Sequence, residues 1–236
     1  FAVDCYSQSA YGDYENGADM LEPSQREVTL NSFEFNIDGS RVDLEISLSN
    51  YERESDSITD NTGFFAAKGW LFYYGYGYML RPAIAAERQN TEEAFVQELR
   101  LVSNGDQNLD WTIGAFYMDQ EASAAQQTRA RGFQEWATAV EPEGFGYGYG
   151  LYYDPSTNVT FDWSHERFYT DFAVFGEITW NISDDVDLTL GARYFDNEDR
   201  VTSQTSFPIW GAFNPVVKDT QTDSDTLMKI NLAWRY

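Results

Sequence analysis

The chain has 236 residues, of which 39 are Asp or Glu and 15 are Lys or Arg, so its formal net charge is −24. A chain this acidic has no basic surface that could neutralise phosphates, which excludes nucleic acid as a partner. One cysteine and one histidine exclude a disulfide framework, a Cys-rich zinc module and any metal site built from several histidines.

Apolar and polar residues alternate with period two in about seven segments, which predicts β-strands with one apolar face. The predicted strands lie near residues 26–37, 41–52, 92–103, 109–119, 166–182, 186–199 and 223–236. In the first strand the phase slips between Leu30 and Phe33, which predicts a β-bulge. Helical signals are almost absent, and the best candidate for a helix is the Ala-, Gln- and Arg-rich segment Glu121–Ala139.

The connections between these strands alternate strictly between short and long. Tight turns are predicted at residues 38–40, 104–106 and 183–185, and long connections at residues 53–91, 120–165 and 200–222. Short periplasmic turns and long extracellular loops are typical of outer-membrane barrels, and so is a high aromatic content, here 17%. The sequence therefore predicts an all-β fold, an antiparallel transmembrane β-barrel wall, with residues 1–236 forming one barrel segment.

Three stretches resemble one family in their order and spacing. Residues 91–117, 172–194 and 223–236 are similar to the middle of the barrel of a TonB-dependent outer-membrane receptor. The resemblance implies a 22-stranded barrel closed by a plug, with a TonB box before the plug. No part of the chain resembles the plug domain or the TonB box. We therefore expect a fragment, roughly a third of such a barrel by strand number.

The resemblance also implies a function. It predicts a receptor in the outer membrane of a Gram-negative bacterium that imports a scarce nutrient, with a ferric siderophore as the first choice. The implied partners are that small molecule, the TonB complex acting through the missing plug region, and outer-membrane lipid with lipopolysaccharide; no cofactor is expected. The alternative is a complete small barrel of eight strands with a structural or adhesive role, if residues 1–25 add one strand.

Two Tyr- and Gly-rich loops contain the candidate ligand-binding residues. Tyr offers a flat apolar ring with a polar tip, and Gly lets the backbone bring several rings together. The resemblance implies that such loops bind an aromatic siderophore, a corrin ring or a sugar. The candidates are Trp70, Tyr73, Tyr74, Tyr76, Tyr78, Trp136, Tyr147, Tyr149, Tyr152 and Tyr153. The alternative interpretation is that these rings pack the loops on each other or anchor them at the membrane interface, as for Trp163 and Trp210.

Charged residues suggest three further hypotheses. Acidic clusters at residues 184–185, 196–199 and 219–225 can supply oxygen ligands for Ca²⁺. They lack the spacing of a calcium-binding loop, so we interpret them as solvated turns and predict no metal site. An anionic ligand would need Arg129, Arg131 or Arg167 along its path. The polar side chains of the strands predict a network that lines the barrel interior, formed by Arg193, Glu177, Asp171, Glu98 and Arg100.

Catalysis has little support in the sequence. Ser164, His165 and Glu166 superficially resemble a catalytic triad. Adjacent residues of a strand point to opposite faces, so Ser164 and His165 cannot face one substrate. We therefore predict no catalytic residues and no enzyme.

Overall fold

The computed structural model describes residues 18, 20–73, 76, 79, 81–104, 108–140, 145–147 and 151–235. A 3₁₀ turn lies at Pro208–Trp210. The remaining elements, in chain order, are β1 (Ser24–Ile37), β2 (Val42–Asp60), α1 (Thr62–Ala67), α2 (Trp70–Tyr73), β3 (Ala83–Ser103), β4 (Leu109–Arg131), α3 (Phe133–Val140), β5 (Phe145–Tyr147), β6 (Leu151–Tyr153), β7 (Val159–Ser183), β8 (Val186–Phe207), β9 (Ala212–Phe213) and β10 (Val217–Trp234).

The long strands form one antiparallel sheet in the order β1-β2-β3-β4-β7-β8-β10, with β9 added to β8. Each long strand pairs with the next long strand along the chain, and β5 and β6 form a separate hairpin. The all-β antiparallel architecture predicted from the sequence is thus confirmed. Within the described residues the free edges of β1 and β10 have no strand partner, so barrel closure and the count of 22 strands stay predictions.

The sheet has two chemically different faces near its short-turn end. On one face of the sheet, neighbouring strands place aliphatic and aromatic side chains directly or diagonally opposite each other, and we call this the apolar face. These side chains are largely exposed, as for Ile113 (57%) and Ile230 (77%). The apolar face includes Phe35, Ile46, Leu99, Ile113, Ile178, Leu190 and Ile230. None of the helices that the structure describes is long and apolar enough to cross a membrane.

The opposite face, which we call the polar face, contains ion pairs. Arg100 pairs with Glu98, Lys229 with Glu177 (2.7 Å between Nζ and Oε2), and Arg193 with Asp171 (3.9 Å between Nη2 and Oδ2). All five residues of the network predicted from the sequence therefore lie on one face and form pairs. Pairing of opposite charges on neighbouring strands stabilises the register of the sheet.

The strands extend farther toward the long connections than the alternation predicts. For example, β2 continues to Asp60 and β3 begins at Ala83, so the connection expected over 53–91 is much shorter. The extension of β2 is polar on both faces: Glu52, Glu54 and Asp56 alternate with Arg53 and Ser55. A strand with two polar faces has no apolar period, and the hydrogen bonds to its neighbours hold it in the sheet.

The helix expected at Glu121–Ala139 is wrong for most of its length. Residues up to Arg131 belong to β4, and only α3 is helical. β3 and β7 pair with β4 along both of its sides, and this tertiary pairing overrides the weak helical preference of the Ala- and Gln-rich segment. Gly132, with φ of 77°, provides the left-handed backbone between the strand and the helix.

The bulge expected in β1 is also wrong. Its register with β2 is regular, with Leu30 opposite Tyr51 and Phe33 opposite Leu48. Leu30 lies on the polar face and Phe33 on the apolar face, so the apparent change of phase reflects apolar residues on both faces. Register shifts occur instead on the pairing of β4 with β7, between Thr128 and Arg129, and on that of β7 with β8, between Asn181 and Ser183.

Candidate ligand-binding face

The three long connections meet in one small hydrophobic core, which we call the loop core. Its buried members are Tyr76, Met79, Ile84, Ala130, Phe133, Ala137, Tyr153 and Ile209. Ile84 and Ala130 are strand residues that point to the same side as the polar face. The connections therefore fold over the polar face and pack on each other there.

Aromatic rings form the centre of the loop core. The ring of Phe133, at the start of α3, lies 5.7 Å from that of Tyr76 and 5.6 Å from that of Tyr153, measured between centroids. All three side chains are at most 1% exposed. Edge and tilted contacts at these distances are the favourable arrangement of aromatic rings, so the rings bind the first two connections together.

The structure separates the ten candidate residues into groups. Tyr76 and Tyr153 are completely buried in the loop core. The alternative interpretation, in which these rings pack the loops on each other, therefore describes these two residues. Trp70 remains 37% exposed, and its ring contacts Phe64 and Phe65. Trp136 is partly buried against Phe133. Tyr73, Tyr147 and Tyr152 belong to α2, β5 and β6, whereas Tyr74, Tyr78 and Tyr149 lie outside the described residues.

Trp210 belongs to the third connection and joins it to the sheet. Its ring stacks on Phe207 at 5.5 Å, and Phe207 contacts Phe161 of β7 at 5.7 Å. Trp210 also packs against the loop core. Trp210 therefore packs between the loops and the sheet.

The outer half of β7 presents a continuous row of aromatic and charged side chains on the polar face. Alternate residues of a strand share a face, so this row, which we call the β7 ladder, consists of Phe161, Trp163, His165, Arg167, Tyr169 and Asp171. Trp163 and His165 stack with centroids 5.8 Å apart and an interplanar angle of 14°. Ser164 and His165 lie opposite Ala125 and Ala124 and hence on opposite faces, as their positions in the sequence predict.

Arg167 is the central residue of the β7 ladder. Its guanidinium donates to both carboxylate oxygens of Asp199 on β8, with Nε to Oδ1 at 2.9 Å and Nη2 to Oδ2 at 2.8 Å. The carbon Cζ of the same group lies 5.2 Å from the ring centroid of Tyr169, a cation–π contact. Of the three arginines suggested for an anionic ligand, only Arg167 lies on the polar face. Arg129 and Arg131 pair with Glu87 on the other side.

These contacts shift the pKa values of Asp199 and Tyr169, which lie on the extended side of the strands, beyond the apolar band that ends at Phe172. The hydrogen bonds from Arg167 hold the pKa of Asp199 below its ordinary value. Burial raises the pKa of Tyr169. At neutral pH the ladder therefore presents an ion-paired guanidinium beside a neutral phenol. Within the described residues Nη1 of Arg167 makes no hydrogen bond, so this atom can donate to an anionic oxygen of an aromatic ligand.

A second polar group lies on the same face across β2, β3 and β4. Arg53 pairs with Glu92 at 2.7 Å between Nη2 and Oε2, and the amide of Gln120 donates to the other oxygen of Glu92, also at 2.7 Å. Within the part of the chain that the structure describes, no three His, Cys, Asp or Glu side chains are placed to share a metal ion.

Sequence reasoning missed the β7 ladder as a surface, although a signal was present. The predicted strand begins near residue 166, and Asp171 on this strand belongs to the predicted polar network. Extending the same alternation back to Phe161 would have found the row. The pairing of Arg167 with Asp199 could not be predicted, because it depends on the register between β7 and β8.

No family model matches the sequence, and no curated protein matches it. Solved structures do match. The ferric yersiniabactin uptake receptor FyuA from Yersinia pestis matches 92% of this chain with a TM-score of 0.64 and 10% identity. The siderophore receptor PiuA from Acinetobacter baumannii matches 90% with a TM-score of 0.52 and 13% identity.

The chain spans only 27% of FyuA and 30% of PiuA. At identities of 10% and 13% the likeness shows the fold alone. It agrees with the resemblance seen in the sequence, with the order of the strands and with the asymmetry of their connections. The chain has the fold of a segment of the barrel wall of a TonB-dependent receptor.

Proposed function

We propose that this chain forms part of a TonB-dependent receptor that imports a ferric siderophore across the outer membrane of a Gram-negative bacterium. The observation that carries the proposal is the two-faced sheet, whose polar face is covered at one end by the loop core. The fold shared with two siderophore receptors supports the same assignment.

The apolar face is the proposed contact with lipid. On β7 its side chains run from Phe172 to Ile182 and remain exposed, as for Val174 (44%) and Ile178 (47%). This length matches the roughly 9–11 residues with which a tilted strand crosses the hydrocarbon core. Trp180 and Trp234, exposed near the short-turn end, fit the aromatic girdle at one membrane interface.

The polar face is the proposed lining of the lumen. In the receptor it would face the plug, and the pairs Glu98–Arg100, Asp171–Arg193 and Glu177–Lys229 would border the plug. Transport then requires a rearrangement of the plug driven by the TonB complex. This chain contributes the wall against which the plug moves.

Ligand capture is proposed to occur in two places. The proposed first contact surface consists of the exposed ring of Trp70, Trp136 and the candidate tyrosines other than Tyr76 and Tyr153. The β7 ladder beneath the loop core then offers Arg167 and Tyr169 to the anionic and aromatic parts of the chelate. Tyr76 and Tyr153 act as packing residues that hold these loops in position.

Growth on defined iron sources tests the proposal. Deletion of the gene should abolish growth on one ferric siderophore as sole iron source, and the complete receptor should restore it. In purified receptor, Arg167→Gln should weaken binding of that siderophore about tenfold, the effect of removing one charged hydrogen bond. The matched control is Arg200→Gln on β8, because Arg200 pairs with Glu198 on the opposite face.

Unimpaired growth of the deletion strain on every siderophore tried would contradict the proposal. The coding sequence upstream of Phe1 tests the alternative of a complete small barrel. A plug domain encoded there supports the receptor, whereas a signal peptide that is cleaved directly before Phe1 favours the small barrel.

A further inference from the structure

His165 is the one histidine of the chain, and it lies in the middle of the β7 ladder. Trp163 precedes it and Arg167 follows it on the polar face, because alternate residues of a strand share a face. The side chain of His165 is partly exposed. The ladder therefore presents a titratable ring beside its guanidinium.

The ring of His165 lies nearly flat against the ring of Trp163. The two centroids are 5.8 Å apart, and the interplanar angle is 14°. Stacking covers one face of the imidazole and leaves its two nitrogens on the ring edge. Within the described residues neither nitrogen makes a hydrogen bond. A neutral imidazole donates from one nitrogen and accepts at the other, whereas the protonated ring donates from both, so the edge can bind an anionic oxygen.

The side chains that flank His165 on the neighbouring strands are short. Ala124 of β4 and Ser203 of β8 lie directly opposite it. The imidazole therefore projects beyond its two neighbours in the ladder, and a ligand at the polar face meets the imidazole first.

The charged groups that face His165 are the two members of one ion pair. Arg167 lies two residues farther along β7, and it binds both oxygens of Asp199 on β8. The 3₁₀ turn Pro208–Trp210 has no charged residue. At this level of the polar face, β4 and β8 add only uncharged side chains, namely Ala122, Ala124, Gln126, Val201, Ser203 and Thr205.

The groups around His165 keep a constant charge near neutral pH. Hydrogen bonds from Arg167 lower the pKa of Asp199, so this carboxylate stays ionised. Burial raises the pKa of Tyr169, so its phenol stays neutral. Histidine is the side chain type that changes its charge between pH 5 and 8. His165 is therefore the group through which this part of the ladder responds to pH.

We propose that His165 contacts the bound chelate and makes the capture of an anionic chelate depend on pH. With a neutral imidazole the ladder offers one cation to the ligand, Arg167. With a protonated imidazole it offers two cations, at positions about 7 Å apart along the strand. Asp199 already compensates the charge of Arg167, so an anionic ligand compensates the charge of His165. This inference rests on the proposed function, because it takes the β7 ladder as a contact for the ferric chelate.

The test uses the complete receptor in detergent, with a ferric tris-catecholate anion as the probe. Its dissociation constant is measured at pH 8 and pH 6. The wild type should bind the probe about fivefold more tightly at pH 6, since a completely formed charged hydrogen bond is worth about tenfold. His165→Gln should bind equally at both pH values, because an amide does not titrate. His165→Lys should bind tightly at both, because a lysine stays charged.

The matched control is Glu166→Gln. Glu166 is adjacent to His165 but lies on the other face of the sheet, opposite Thr202, so this variant should keep the pH dependence of the wild type. Any proton uptake by the chelate itself would persist in His165→Gln. Equal binding by the wild type at both pH values would overturn the inference. A His165→Gln variant that keeps the pH dependence, or a His165→Lys variant that binds as weakly as His165→Gln, would overturn it as well.

Uptake of ferric siderophores separates this inference from the proposed function. A receptor that takes up a siderophore but binds the probe equally at both pH values refutes only the role of His165. A receptor that binds the probe with the expected pH dependence but takes up no siderophore refutes only the proposed transport function.

Discussion

Arg167 and Asp199 form a two-point ion pair on neighbouring strands, with nitrogen–oxygen distances of 2.9 and 2.8 Å. Asp199 lies directly opposite Tyr169, and Arg167 reaches it diagonally across the ladder. The pair holds the guanidinium of Arg167 beside the ring of Tyr169, in the middle of the β7 ladder.

This pair makes stability depend on pH. The pKa of Asp199 is lowered by Arg167, so the pair stabilises the fold above the ordinary carboxyl pKa of about 3.9 and loses this effect as pH falls through the lowered value. Asp199→Asn should lower the free energy of unfolding at pH 7 by up to about 1 kcal/mol, because the pair is partly exposed. The difference from wild type should shrink at pH 3.

Urea unfolding of the complete receptor in lipid vesicles at pH 7 and pH 3 measures this difference. Asp196→Asn is the control, because within the described residues the carboxylate of Asp196 makes no hydrogen bond or ion pair. A loss of stability in Asp199→Asn that is equal at both pH values would contradict the assignment.

Gly114 is expected to tolerate no side chain. It lies opposite Phe175 on the polar face, and a Cβ there would come within 2.8 Å of Cε2 of Phe175 and 2.9 Å of the Leu99 carbonyl oxygen. Gly114→Ala should cost about 1–3 kcal/mol of stability through overpacking.

Gly176 is the matched control for this substitution. It lies on β7, next to Phe175, and a Cβ there meets nothing closer than 3.5 Å. Gly176→Ala should leave the urea midpoint nearly unchanged. Equal midpoints for the two variants would show that Phe175 moves away at no cost.

Phe133 is expected to stabilise the connections rather than the sheet. Phe133→Ala removes the ring between Tyr76 and Tyr153, a loss of about 3–5 kcal/mol for a fully buried side chain. Because the loop core can open without breaking the strand ladder, limited proteolysis should cut the connections faster while the heat stability of the barrel is retained. Phe64→Ala, at a ring that is 49% exposed, should have little effect on the cleavage rate.

Ile113 tests which face meets lipid. Its side chain is 57% exposed on the apolar face, so Ile113→Lys should cost about 2–4 kcal/mol, as for a lysine near the middle of the bilayer. Thr112→Lys, one residue earlier, lies on the polar face opposite Glu177 and should be tolerated. Folding into lipid vesicles, followed by urea titration, measures both. A reversed order would show that the faces are assigned the wrong way round.

The halves of the strands near the short turns could be predicted, because apolar residues occupy every second position there. Ile178 and Trp180 belong to such a run. The outer halves could not, because neighbouring strands rather than an apolar period hold residues such as Arg53 and Ser55 in place. The same limitation made the Ala- and Gln-rich part of β4 resemble a helix.

The candidate site could be predicted only in part. Sequence alone identified aromatic loops, but whether a ring is exposed depends on which loops meet. Trp70 and Tyr76 lie in one connection, yet one is 37% exposed and the other is completely buried. Burial of Tyr76 follows from contact with Phe133, which comes from another connection.

The loop core couples the three long connections energetically. Tyr76, Phe133 and Ile209 come from three different connections but share one buried volume, so removing one weakens the packing of the others. Substitutions at Tyr76 and Ile209 should therefore be non-additive by about 0.5–3 kcal/mol in a double-mutant cycle. Sequence changes in one connection thus constrain the changes that the other two can accept, and the three connections are expected to vary together among related receptors.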